Sequence, residues 1–149
     1  MNPFDIKTIF LAKHAQHVVL IHFPIALFIL GVVLDFLGQR KKKQLLAGAA
    51  YYNFLAAAIM TIPVLITGIL AWQWQLEGER PKGILLMHLV LGWVSSVLIW
   101  ITWLIHRRAQ RSPGRILPGY RLPIEALAVL AVALTAHLGG FLSGVNGAG

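Results

Sequence analysis

Four long apolar runs, separated by short charged segments, dominate the pattern of this chain. They cover about residues 14–38, 46–74, 84–105 and 123–145. Each is near or above the ~20 residues that cross a hydrocarbon core of ~30 Å. Lipid offers no water to backbone N–H and C=O groups, and the alternation of a membrane β-strand is missing, so these runs predict helices. The connections read GQRKKKQ, QLEGERPKG and HRRAQRSPGRILPGYRLP. Short links between consecutive long helices make antiparallel neighbours. The pattern therefore predicts an all-α fold, an integral membrane up-down four-helix bundle, as a single domain over residues 1–149. Residues 1–13, MNPFDIKTIFLAK, place Phe4, Ile6, Ile9 and Phe10 among polar residues and predict a short interfacial segment. No short apolar core ending in a small-residue cleavage site marks a signal peptide.

Composition agrees with the pattern. The chain is 58% hydrophobic and 12% charged, and mean hydropathy is +0.74. A soluble domain of this length cannot bury that much apolar surface. The net charge of +8 raises nucleic acid as a partner, but the cations sit between apolar runs with no basic face interleaved with aromatics, so none is expected. Their distribution instead gives orientation. Arg40, Lys41, Lys42 and Lys43 occupy the first connection, and Arg107, Arg108, Arg111, Arg115 and Arg121 the third. In the second, Arg80 and Lys82 are offset by Glu77 and Glu79. The positive-inside rule puts connections one and three in the cytoplasm, with both termini outside. Trp72, Trp74 and Trp93 then fall toward the outer side, as members of an aromatic belt. The absence of cysteine excludes disulfides, thiolate metal sites and covalent c-type haem.

Candidate chemistry lies in the histidines. His17 and His22 begin the first run, His88 the third, and His137 lies in the last third of the fourth. At 1.5 Å per residue all sit within roughly 5–15 Å of one membrane face. A lone intramembrane histidine is often an interhelical hydrogen-bonder. Several at one depth on different helices point to a site, because polar groups in a membrane are costly. Small residues accompany them. Ala133, His137, Gly140 and Gly144 share one helical face, as do His88, Gly92, Ser95 and Ser96, and as do Thr61, Gly68 and Trp72, with Pro63 a predicted kink. Such faces suit close helix packing or a flat macrocycle. Neutral imidazoles on facing helices are axial ligands for a b-type haem in a bundle core. His17 and His22 are five apart, about 140° around a helix, and cannot both serve one iron from opposite faces. A zinc or copper site would need three or four converging histidines and ranks below haem.

The remaining polar residues read as structural. Asp35 and Asn53 lie near the cytoplasmic ends of their runs; for Asp35, capping by loop cations ranks above a proton-carrying role. Glu125 opens the fourth run, where a helix N-terminus favours negative charge. His106, in the sequence IHRR, reads as a surface residue of the basic cluster, and His14 lies at the outer interface. No nucleophile triad, phosphate loop or HExxH motif appears.

The segments HVVLIHFPIAL (His17–Leu27), TGILAW (Thr67–Trp72), MHLVLG before the middle of the third run, and HLGGFLSG (His137–Gly144) resemble the DUF2231 family of bacterial four-helix membrane proteins. The family start is HPxxVHFPIAL, with Val18 here in place of proline. Related modules occur fused to c-type cytochrome domains or beside Rieske-type iron–sulfur proteins, and carry GHxGGxLTHG in the fourth helix. Gly144 stands where their second histidine falls. The resemblance implies the fold and an electron-transfer context.

Together these readings predict an electron carrier rather than a stand-alone catalyst. It would bind haem b near the outer face through His88 with His22 or His17, the pair His22 and His88 on diagonal helices ranking first. His137 is a further iron ligand or a partner to one. Gly68, Gly92 and Gly140 would line the macrocycle, and Arg80 or Lys82 would meet its propionates. A c-type cytochrome, a Rieske-type protein or a quinone would be the redox partner, within an oligomer or complex. The alternatives are a non-redox accessory or small transporter subunit with structural histidines, and a quinone-binding subunit.

Overall fold

The computed structural model describes residues 13–75 and 80–144. They form four α-helices, α1 (Lys13–Lys41), α2 (Gln44–Gln75), α3 (Gly83–Arg111) and α4 (Arg121–Leu142), with a 3-10 turn at Pro113–Arg115. There is no strand among the described residues. All four helices are long and apolar enough to cross a membrane. The interfacial segment expected at residues 1–13 lies almost wholly outside the described residues, as do Glu77, Glu79 and Val145. The helices outrun the apolar segments at their basic ends, because Arg40 and Lys41 of α1 and Arg108 and Arg111 of α3 complement the carbonyl end of the helix dipole. Pro24 and Pro63 are carried inside continuous helices.

Packing follows a spacing of four and three. On α1 the inward residues are His17, Ile21, Pro24, Phe28, Gly31 and Asp35, ending at Gly38. On α2 Ala50, Phe54, Ala57, Thr61, Gly68 and Ala71 keep the same spacing, with Val64 between. A 3.5-residue repeat on antiparallel helices gives long, shallow crossings with interlocked side chains. α1 and α2 are the closest pair. A Cβ built on Gly31 would stand 2.7 Å from Phe54 Cε1, and one on Gly38 3.0 Å from the Ala47 backbone N. Small residues bring the backbones together where lipid supplies no hydrophobic drive. The α1–α2 turn is closed by Lys43 N–H donating to Gly38 O at 3.0 Å, with Lys42 at φ 52°.

Around this bundle Ile29, Val33, Phe36, Ile59, Ile62 and Val97 are exposed. A continuous apolar surface of that kind is untenable in water and is the lipid-facing coat of a multi-pass membrane protein. Inside, the bundle has two unlike halves. At the end of the basic connections the seams close over Phe28, Ala50, Phe54, Ala57 and Ala128, each fully buried. At the opposite, histidine end they splay around a cavity of about 830 Å³.

Candidate functional site

The cavity at the histidine end is walled by the same seams that close the other half: Ile21 and Pro24 of α1, Val64 and Gly68 of α2, Gly92 of α3, and Thr135 of α4. Its volume lies within the ~300–1,000 Å³ typical of sites that enclose a small ligand or cofactor. Arg80 and Lys82, before α3, also contribute to the wall.

Two imidazoles meet in it. The rings of His17 and His88, from the diagonal helices α1 and α3, have centroids 6.4 Å apart and planes at 87°. Each ring rests on a glycine of the neighbouring helix. A Cβ on Gly68 would come within 3.0 Å of His17 Cε1, and one on Gly139 within 3.1 Å of His88 Cε1. Each ring is also held through Nδ1. His88 Nδ1 lies 3.0 Å from the Thr135 carbonyl, which only accepts, so Nδ1 carries the hydrogen. His17 Nδ1 lies 3.2 Å from Thr67 Oγ1. The Thr67 hydroxyl is also within reach of Pro63 O at 2.8 Å and Val64 O at 3.1 Å. In a neutral His88 ring the lone pair then falls on Nε2. Anchoring of one ring nitrogen by an acceptor is how proteins orient histidines whose other nitrogen binds a metal.

The other expected residues take different positions. His22 also lines the cavity, but it is exposed and its Nδ1 lies 2.7 Å from Val18 O of its own helix, and the ring that meets His88 is that of His17. His137 is exposed on the outside of α4, edge-on to Phe141 at 5.0 Å. The face Ala133–His137–Gly140–Gly144 is not the packed face of α4. The inward residues are Glu125, Ala128, Val132, Thr135 and Gly139. Gly140 and Gly92 do line the cavity, and a Cβ on Gly92 would sit 3.9 Å from Thr135 Cγ2, in ordinary contact. Ser95 Oγ and Thr135 Oγ1 join α3 to α4 at 3.0 Å. Thr67, Thr135 and Gly139 were not singled out from the sequence. Thr67 begins the TGILAW segment, and Thr135 and Gly139 are one helical turn apart on the Glu125 seam.

A second correction concerns the basic end. His106 is not a surface residue. It is buried, with Nε2 3.0 Å from Glu125 Oε1 and its ring 4.6 Å from that of Phe54. Asp35 is capped by a cation of the third connection, as the basic loops suggested. That cation is Arg121, whose Nε donates to Asp35 Oδ2 at 2.9 Å. Asn53 donates to Ala49 O of its own helix.

Comparison with known proteins assigns the scaffold. The family model for DUF2231, described as a predicted membrane protein, matches residues 13–149. The chain belongs to the DUF2231 family. No curated protein and no solved structure matches it. Membership covers all four helices and thus both the histidine cavity and the buried cluster at the basic end, while the family description carries no activity.

Proposed function

We propose that this DUF2231 protein is a membrane electron carrier that binds one b-type haem in the cavity, with His17 and His88 as the two axial ligands. The observation that carries the reading is the pair of Nδ1-anchored imidazoles on diagonal helices. The fit can be tested on the residues themselves. His17 and His88 would hold the group from opposite helices, and their ring centroids are 6.4 Å apart within the cavity. The cavity volume and its apolar walls suit a flat macrocycle, and Arg80 and Lys82 provide the cations for its carboxylates. When bound, the haem supplies one-electron redox chemistry. The chain's own contributions are orientation and insulation. Thr67 and the Thr135 carbonyl hold the rings through Nδ1, and Gly68 and Gly139 let the rings lie against the neighbouring backbones.

The orientation that goes with this reading is N-out and C-out, with the haem near the outer face of a bacterial inner membrane. A c-type cytochrome, Rieske-type protein or quinone would exchange electrons on that side. The ligand pair provides a specific test. Protein produced with excess haem and purified in detergent should hold about one haem per chain. Its ferric form should give the low-spin electron paramagnetic resonance signal that two imidazole ligands would impose. A high-spin signal, or no haem retained through purification, overturns the ligand pair.

A further inference from the structure

The basic end of the bundle holds a buried ionic cluster that the histidine cavity does not use. Asp35, His106, Arg121 and Glu125 are 0%, 3%, 7% and 2% exposed. They converge from α1, α3 and α4, while α2 closes the fourth side with Phe54 and carries no charged side chain. Ligand atoms of Asp35, His106 and Glu125 all lie within 4.8 Å of one another. Arg121 Nε is 2.9 Å from Asp35 Oδ2 and 4.0 Å from Glu125 Oε1. The other cations of these helices stand apart. Arg40, Lys41, Arg108 and Arg111 are exposed, and Arg107 lies over the Trp103 ring at 5.1 Å. The histidines of the cavity are about 27 Å away along α1 and α3.

The charges do not close. Arg121 supplies one positive charge against the two carboxylates, so with a neutral imidazole the cluster carries one net negative charge. Uncompensated charge in a low-dielectric interior is expensive. A separate observation marks the deficit. Asp35 Oδ1 is fully buried and accepts no hydrogen bond, although buried acceptors are almost always paired. A single additional proton makes the cluster neutral and supplies a missing donor. A divalent cation would leave a net positive charge beside Arg121.

We propose that this cluster is a proton-binding site, holding one exchangeable proton in common among His106, Glu125 and Asp35. Water at the basic end gives the proton and takes it back, and the cluster passes between one net negative charge and neutrality. Arg121 opens α4 and Glu125 follows one turn later, about 6 Å along the axis, so the site lies within reach of that water. The assignment stands whether or not the cavity binds haem.

The test is infrared difference spectroscopy on the full chain in lipid nanodiscs, cycled between about pH 5 and pH 9. The expected result is a protonated-carboxyl stretch, shifted by deuterium exchange, with an imidazole band that follows the same titration. Both should disappear in Glu125→Gln, with helix content retained. A permanent salt-bridge lock gives no carboxyl band in the wild-type protein over that range, and that result, which needs no variant, overturns the proposal. So does one equivalent of tightly bound transition metal that is lost in Glu125→Gln.

Discussion

At the residue scale, the site depends on contacts that only glycine permits. His17 lies on Gly68 and His88 on Gly139 at distances where any Cβ forces the ring to move. Gly68→Val and Gly139→Val should each leave the helices formed but displace one imidazole. The expected outcome is at least a tenfold loss of haem affinity, read by titration of haem into apoprotein. Gly48→Ala is the matched control, because it lies outside the cavity and its added methyl meets nothing within 4 Å, and its affinity should stay within about twofold of the parent. The sequence showed that histidines cluster at one depth. It ranked His22 with His88 first, because His17 and His22 lie in one apolar stretch and nothing local to that stretch separates them. The discriminating facts are partners contributed by other helices, the Thr67 hydroxyl and the Thr135 carbonyl, and these lie 50 and 47 residues from the rings they hold.

At the scale of the element, the four-and-three spacing assigns each side chain to seam or lipid. From Asp35 and Phe28 the seam of α1 runs back to His17 and passes 140° away from His22. The α3 seam runs from His88 through Ser95, Ile99 and Thr102 to His106, and so buries a residue whose neighbours in sequence are two arginines. The four spans and their order were legible in the apolar runs, because length and hydropathy decide them. The inward face of α4 was not, because Ala, Gly and Leu alternate around the helix with little polar contrast. The tightest element contact makes its own prediction. Gly31→Leu drives a side chain into the Phe54 ring, where a Cβ alone would stand 2.7 Å away. Overpacking of a close-packed seam costs about 1–3 kcal/mol. The melting temperature in detergent should fall, and Phe54→Ala in the same chain should restore part of the loss, as coupled neighbours do.

On the scale of the whole molecule, the bundle is closed at one end and hollow at the other. The closed half carries the ionic cluster and the basic connections, and the hollow half carries the paired imidazoles. In the proposed orientation, charge asymmetry sets the direction of this arrangement in the membrane. Reporter fusions placed after Lys43 and after Arg111 should read as cytoplasmic, and fusions after Lys82 as external. The opposite pattern would put the histidine cavity on the cytoplasmic side and contradict the proposed orientation.

The central claim is that His17 and His88, and neither His22 nor His137, hold a haem. The most direct measurement is the dithionite-reduced minus air-oxidised absorption spectrum of the purified protein and its four single His→Ala variants, all expressed with added haem precursor. The account predicts a sharp α-band and a shifted Soret band in the parent, His22→Ala and His137→Ala proteins, and their loss in His17→Ala and His88→Ala. A flat spectrum in the parent, or bands that survive in both His17→Ala and His88→Ala, would contradict it.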